Sequence, residues 1–110
     1  MVKFFSLSSG SNGNCYYIGN GNGGFLIDAG IGPRTVKKRL MEHGIDIDDI
    51  SFILVSHDHI DHIKSLGVLA DRVNLPIYAT EKLHRSLSTH FCTRGKLGGC
   101  ARKTILDQAF

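Results

Sequence analysis

No stretch of the chain approaches the roughly 18–20 uninterrupted apolar residues that a membrane-spanning helix needs. Met1–Leu7 is too short, and too soon interrupted by serine, to read as a secretory signal. Cysteine is scarce. Cys15, Cys92 and Cys100 are three in number, so they cannot all pair within one chain, and none stands in C-x-x-C spacing. Neither a disulfide framework nor a cysteine zinc site is therefore the natural reading, and free thiols in a reducing cytoplasm are expected. A dominant charge of one sign is also lacking: 13 Lys+Arg against 10 Asp+Glu leave a formal +3. That excess permits an anionic substrate without by itself indicating nucleic acid. There is no internal repeat and no low-complexity linker. With 42% apolar and 21% charged residues, the 110-residue chain fits one modest globular domain and excludes a disordered tail or a collagen-like fibre.

What the chain has in quantity is glycine and short apolar runs. Val2–Leu7, Cys15–Ile18 and Phe25–Asp28 are strand-like and are separated by the turn-forming clusters Ser8–Asn14 and Gly19–Gly24, which predicts an antiparallel meander of three strands. The texture then changes. Pro33 suits a first helical turn, Val36, Leu40 and Met41 recur at helical spacing, and Gly44 is a plausible stop. Lys37, Lys38 and Arg39 read as the solvated face of that helix. Ser51–Ser56 is a continuous apolar run, expected to be a strand covered on both faces. A helix is expected over Ile63–Ala70, a short strand over Pro76–Ala79, a helix from Glu81 to about His90, and a further strand start at Thr104–Leu106. Strands alternating with helices after a meander indicate an α/β or α+β fold with mixed strand directions.

One segment stands apart. His57-Asp58-His59-Ile60-Asp61-His62 packs three histidines and two aspartates into six positions directly after a buried strand. His57 and His59, two apart on extended backbone, point the same way and can share a cation. Asp61 and His62 follow as the chain turns toward the next helix, where they can hold a second. Imidazole nitrogen and carboxylate oxygen suit Zn²⁺ and also Mn²⁺ or Fe. The spacing is not that of the His-Glu-x-x-His zinc helix. His43, His84 and His90 are isolated on helical segments and read as structural or exposed.

His57–His62 matches the H-x-H-x-D-H signature of the metallo-β-lactamase superfamily, which the chain therefore resembles. Ile53–Ser56 is similar to the strand that enters that motif, and Phe25–Gly30 to an earlier strand ending in Asp and Gly. Ser6–Cys15, together with Asp58 inside the motif, resembles the YycJ/WalJ-type branch. The resemblance implies an αββα sandwich built on a mixed sheet with flanking helices, of which residues 1–110 form the N-terminal half as a single partial domain. It implies His57 and His59 as ligands of a first metal, with Asp61 and His62 as ligands of a second. Asp61 is also a candidate for proton transfer. Two zinc ions per complete site are expected, with manganese or iron as alternatives, and a metal-bridged hydroxide as nucleophile. For this branch the implied reaction is phosphodiester hydrolysis, specifically exonuclease action on DNA.

Other residues keep two readings. Asp28 suits a carboxylate that supports the ligand loop and fixes an imidazole tautomer, and equally an acid that caps a turn. In the Ser9–Asn14 loop, Ser11, Asn12 and Asn14 are candidate substrate contacts, since small side chains and free backbone N–H groups can approach a phosphate. The same loop also reads as plain turn chemistry, and it lacks the Gly-Lys-Ser/Thr ending of a nucleotide loop. Arg94, Lys96, Arg102 and Lys103 form a basic stretch, read first as solvated surface and second as a nucleic-acid contact.

Residues 57–62 give each metal two protein ligands, against the three usual at a catalytic zinc. A fragment of a longer enzyme, a site completed by a second chain, and an inert truncated product all fit that count. A half-domain is expected to self-associate through an exposed sheet edge, or to be covered by its C-terminal half. The rival functions are a non-catalytic metal-binding or interaction module and a hydrolase of thioesters or lactones on the same fold.

Overall fold

The computed structural model describes residues 2–10, 13–20, 22–57, 59–72, 75–89 and 102–105. The elements run β1 (Lys3–Ser8), β2 (Cys15–Asn20), β3 (Gly23–Ile27), α1 (Pro33–Glu42), β4 (Ile50–Leu54), α2 (Ile60–Ile63), α3 (Leu66–Arg72), β5 (Ile77–Thr80), α4 (Glu81–Thr89) and β6 (Arg102–Ile105). A single 3₁₀ turn, Ile47–Asp49, precedes β4 and is capped by the Asp46 side chain. The strands form one six-stranded sheet in chain order. β1, β2 and β3 are the antiparallel meander, whereas β4, β5 and β6 each add parallel to the strand before.

That order places the helices. Crossovers between parallel strands are right-handed, so strands added successively in one direction send every connecting helix to the same face. The core confirms it: Leu26, Ile53 and Ile77, paired across β3, β4 and β5, are fully buried in one cluster with Val36 and Leu40 of α1, Ile63 of α2, Leu66 and Leu69 of α3 and Leu87 of α4. The opposite face carries Phe25, stacked on Phe52 at 4.6 Å, with Tyr78 beyond it at 4.6 Å. These rings are half-buried, largely against one another. β4 is thus covered on one face by helices and on the other only by neighbouring rings, among the described residues. This corrects the expectation of a strand buried on both sides.

Helix boundaries follow local chemistry. Pro33 opens α1, and Gly44, at φ 75°, closes it in a Schellman arrangement with Gly44 N–H donating to Met41 O and Ile45 N–H to Leu40 O, each at 2.9 Å. The single helix expected over 63–70 is two. Ser65 breaks it because its N–H donates to Ala29 O at 2.8 Å and its hydroxyl to the same oxygen at 3.2 Å. Its own carbonyl then accepts from Leu69 N–H at 3.0 Å as α3 begins. A tertiary bond to the loop after β3 has overridden helix continuity.

Candidate metal centre

Open α/β sheets collect functional groups at the carboxyl ends of parallel strands, and two such ends meet here. After β3 the chain turns through Asp28, the one non-glycine residue with positive φ (63°) among those described. Asp tolerates this left-handed region better than most residues, though at some cost. The turn is held by Asp28 N–H donating to Leu54 O at 2.8 Å and by Ala29 N–H donating to His62 O at 2.7 Å. The loop after β3 is thereby stitched both to the end of β4 and to α2.

The Asp28 side chain, 1% exposed, is a hub. Its Oδ1 accepts from Ser56 N–H at 2.8 Å. Its Oδ2 accepts from the Ser56 hydroxyl and from His62 Nδ1, both at 2.6 Å. An ionised carboxylate is acceptor-only, so His62 carries a proton on Nδ1. Asp28 therefore both caps the turn after β4 and holds the His62 ring. Three donors, two of them at charge-assisted lengths, stabilise a carboxylate that burial alone would penalise.

The imidazoles gather above this hub. The His57 ring centroid lies 4.6 Å from that of His62 and 6.0 Å from that of His59, and His59 and His62 are 6.5 Å apart. His57 and His59 are exposed, whereas the His62 side chain is 17% exposed. Asp28, His57 and His62 each offer a ligand atom within 4.8 Å of the others. Borderline nitrogen donors beside a buried carboxylate are a donor set that fits zinc, manganese or iron. Asp61 lies on α2, with its side chain outside the described residues, as are Asp58, Ser11 and Asn12.

Asn14 is 9% exposed. Its Nδ2 donates to Gly10 O at 3.1 Å, its Oδ1 accepts from Gly10 N–H at 3.2 Å and from the Tyr16 hydroxyl at 3.2 Å, and its Nδ2 lies 3.4 Å from His62 Nε2. Its place is that of a brace between Gly10 and the His62 ring rather than an open contact. Gly13, at φ 128°, lets this loop come close, since a Cβ there would collide with the Gly30 carbonyl. Asn14 O in turn accepts from Gly30 N–H at 2.9 Å.

The remaining candidates lie elsewhere. The His43 ring stacks on Phe5 at 4.0 Å, and His84 is buried on α4. Cys15 is fully buried on β2, and burial first, then the Asp28 charge, pushes its thiol from 9.0 up to about 12. It stays protonated at neutral pH and is no thiolate ligand. Cys92, Cys100, His90, Arg94 and Lys96 lie outside the described residues, and Arg102 and Lys103 stand on β6. Two participants escaped the sequence reading: Ser56, and the Asn14 contact with His62. The available signal for Ser56 was its place between an apolar strand and the first histidine.

The family model for the metallo-beta-lactamase superfamily matches residues 9–91. The chain is 46% identical over 81 residues to the exodeoxyribonuclease YycJ of Bacillus anthracis, covering 74% of this chain and 31% of that protein. It is 35% identical over 85 residues to the exodeoxyribonuclease WalJ of Streptococcus pneumoniae serotype 2, covering 77% and 32% respectively. The chain thus spans about a third of the length of these curated relatives. A B3 metallo-beta-lactamase with an active-site glutamic acid superposes with a TM-score of 0.76 at 19% identity, over 94% of this chain and 43% of its own. The Rm3 metallo-beta-lactamase superposes at 0.66 with 26% identity, over 87% and 34%. The expected architecture, a mixed sheet with flanking helices forming part of this fold, holds.

Proposed function

Because the chain belongs to the metallo-beta-lactamase superfamily, we propose that it is the N-terminal half, as one partial domain, of a metal-dependent hydrolase that degrades DNA from an end. The observation that carries the metal-site reading is the Asp28 hub. A fully buried carboxylate that accepts from His62 Nδ1 at 2.6 Å keeps the ring proton on that nitrogen, so Nε2, which faces Asn14 Nδ2 at 3.4 Å, is the atom that would turn to a metal. His57 and His59 are the ligands of the first metal in this reading, and Asp61 and His62 those of the second. Zinc is the expected ion, with manganese or iron as alternatives. A pair of such cations, when bound, lowers the pKa of water and neutralises charge on the attacking and leaving oxygens of a displacement. The chain's own residues hold and orient the donors: Asp28 fixes His62, and Asn14 links Gly10 to it. Ser11 and Asn12 remain the proposed substrate contacts, while Asn14, tied to Gly10 and His62, braces the ring instead. The similarity to two exodeoxyribonucleases supports DNA over a β-lactam as substrate.

Catalysis needs the longer protein, because residues 57–62 supply only two ligands per metal. In the full-length protein, magnesium-free buffer with added zinc or manganese should support stepwise shortening of end-labelled DNA, and Asp61→Ala should abolish it. A full-length enzyme that cleaves thioesters or lactones but no phosphodiester would refute the nuclease reading. Metal uptake without turnover on any of these would favour the binding-module reading.

The 110-residue chain on its own is proposed to self-associate. Among the described residues its sheet ends at β1 and β6, and the 59% exposed Phe4 stacks on Tyr16 at the β1 edge, while Phe25, Phe52 and Tyr78 are half-buried. Sedimentation at rising concentration should show dimers or larger species; a clean monomer refutes this. No described helix is long and apolar enough to cross a membrane, and a cytoplasmic location is proposed from three cysteines that cannot all pair within one chain and lack C-x-x-C spacing.

A further inference from the structure

We infer that Ser56 is a positioning residue that sets the tautomer of His57, so that one carboxylate, Asp28, directs the protons of two imidazoles. The inference rests on the metal-centre reading for its purpose, but its evidence is a proton count. Ser56 donates its backbone N–H to Asp28 Oδ1 at 2.8 Å and places its hydroxyl oxygen 2.6 Å from Asp28 Oδ2. The carboxylate has no proton to give, so the single hydrogen between the two oxygens is the serine's own. The same hydroxyl oxygen lies 2.8 Å from His57 Nδ1. With its hydrogen committed to Asp28, Ser56 can only accept there, and His57 Nδ1 must be the donor. Nδ1 then carries the proton and Nε2 the lone pair.

His62 reaches the same state directly, through Nδ1 to Asp28 Oδ2 at 2.6 Å. The two rings, with centroids 4.6 Å apart, therefore take the same tautomer from one buried charge, one by contact and one through a hydroxyl. The backbone bond to Oδ1 holds Ser56 in register, so the relay does not depend on a freely rotating side chain. A threonine can reproduce the arrangement; an alanine cannot.

Long-range proton–nitrogen correlation spectra of the metal-free 110-residue chain, at a pH where the rings are neutral, report the tautomer of each histidine. His57 and His62 should both show the Nδ1–H pattern. In Ser56→Ala, His57 should lose it while His62 keeps it, and Ser56→Thr should restore it. Zinc affinity should fall about 10–100-fold in Ser56→Ala and recover in Ser56→Thr. An unchanged His57 pattern in folded Ser56→Ala, or an Nε2–H pattern in the wild type, overturns the inference. If Ser56→Ala loses the dispersed spectrum of a folded chain, the wild-type and Ser56→Thr patterns decide: Nδ1–H in both supports the relay, and Nε2–H in either overturns it. A wild type that shows the Nδ1–H pattern yet takes up no zinc supports the tautomer assignment and refutes the metal-centre reading instead.

Discussion

Replacing Asp28 with asparagine keeps the shape of the hub and removes its charge. Three hydrogen bonds now end on an ionised carboxylate, from Ser56 N–H, the Ser56 hydroxyl and His62 Nδ1. Bonds to charged groups are worth about 1.5–3 kcal/mol against about 0.5–1.5 for neutral ones, a difference of roughly 1 kcal/mol each. Ser56 is exposed, so water replaces part of its loss. Asp28 itself is 1% exposed, so its substitute has no such recourse. The expected destabilisation is about 2–3 kcal/mol, measured as a fall in the urea midpoint at unchanged slope. A second effect follows from donor geometry. The amide nitrogen is a donor where Oδ2 accepted, so His62 must turn its Nδ1 into an acceptor and carry the proton on Nε2. The variant should fold yet bind zinc at least 10–100-fold more weakly, the range expected for losing such a partner. An Asp28→Asn chain with wild-type stability and wild-type zinc affinity would refute the hub.

Leu26→Ala should cost about 2–5 kcal/mol by chemical denaturation, whereas Phe25→Ala, on the face without helices, should cost less than half as much; equal losses would contradict the one-sided core. Gly13→Ala forces a side chain into φ 128° and against the Gly30 carbonyl, so the thermal midpoint should drop and the His62 ring signals should shift as Asn14 moves; no change in either would count against the brace. Cys15 is protonated in the fold with its thiol raised from 9.0 to about 12. Its contribution is therefore complete below pH 9 and is lost as pH climbs toward about 12. Stability should decline across that window less steeply in Cys15→Ala. In a chain carrying Cys92→Ser and Cys100→Ser, a thiol reagent at neutral pH should label Cys15 only after denaturation.

The parts of this molecule that were legible in its sequence are those set by neighbours along the chain. The meander, α1 with its proline start and glycine stop, and the histidine cluster all depend on residues within a few positions of one another. What was not legible depends on pairing across the sheet. Asp28 meets His62 only because β3 and β4 run parallel with Ile27 opposite Leu54, which brings two strand ends together. Ser65 breaks a helix through an oxygen on Ala29, 36 residues earlier, where periodicity has no view. An apolar run such as Phe52–Leu54 has the same composition whether helices or only aromatic neighbours cover its second face, so β4 was expected to be more enclosed than it is. Asp28 kept two readings for a similar reason: cap and ring support are one carboxylate with enough lone pairs for both.

His57, His59 and His62 are proposed to form a metal centre whose proton positions Asp28 sets. Zinc content after exhaustive dialysis, measured by mass spectrometry on the wild-type chain beside His57→Ala and His62→Ala, tests it most directly. Zinc should be retained in the wild type and reduced in each variant, since each removes a ligand of one of the two metals, while the folded spectra persist. A wild type that retains none, or variants that retain as much, would contradict the proposed centre.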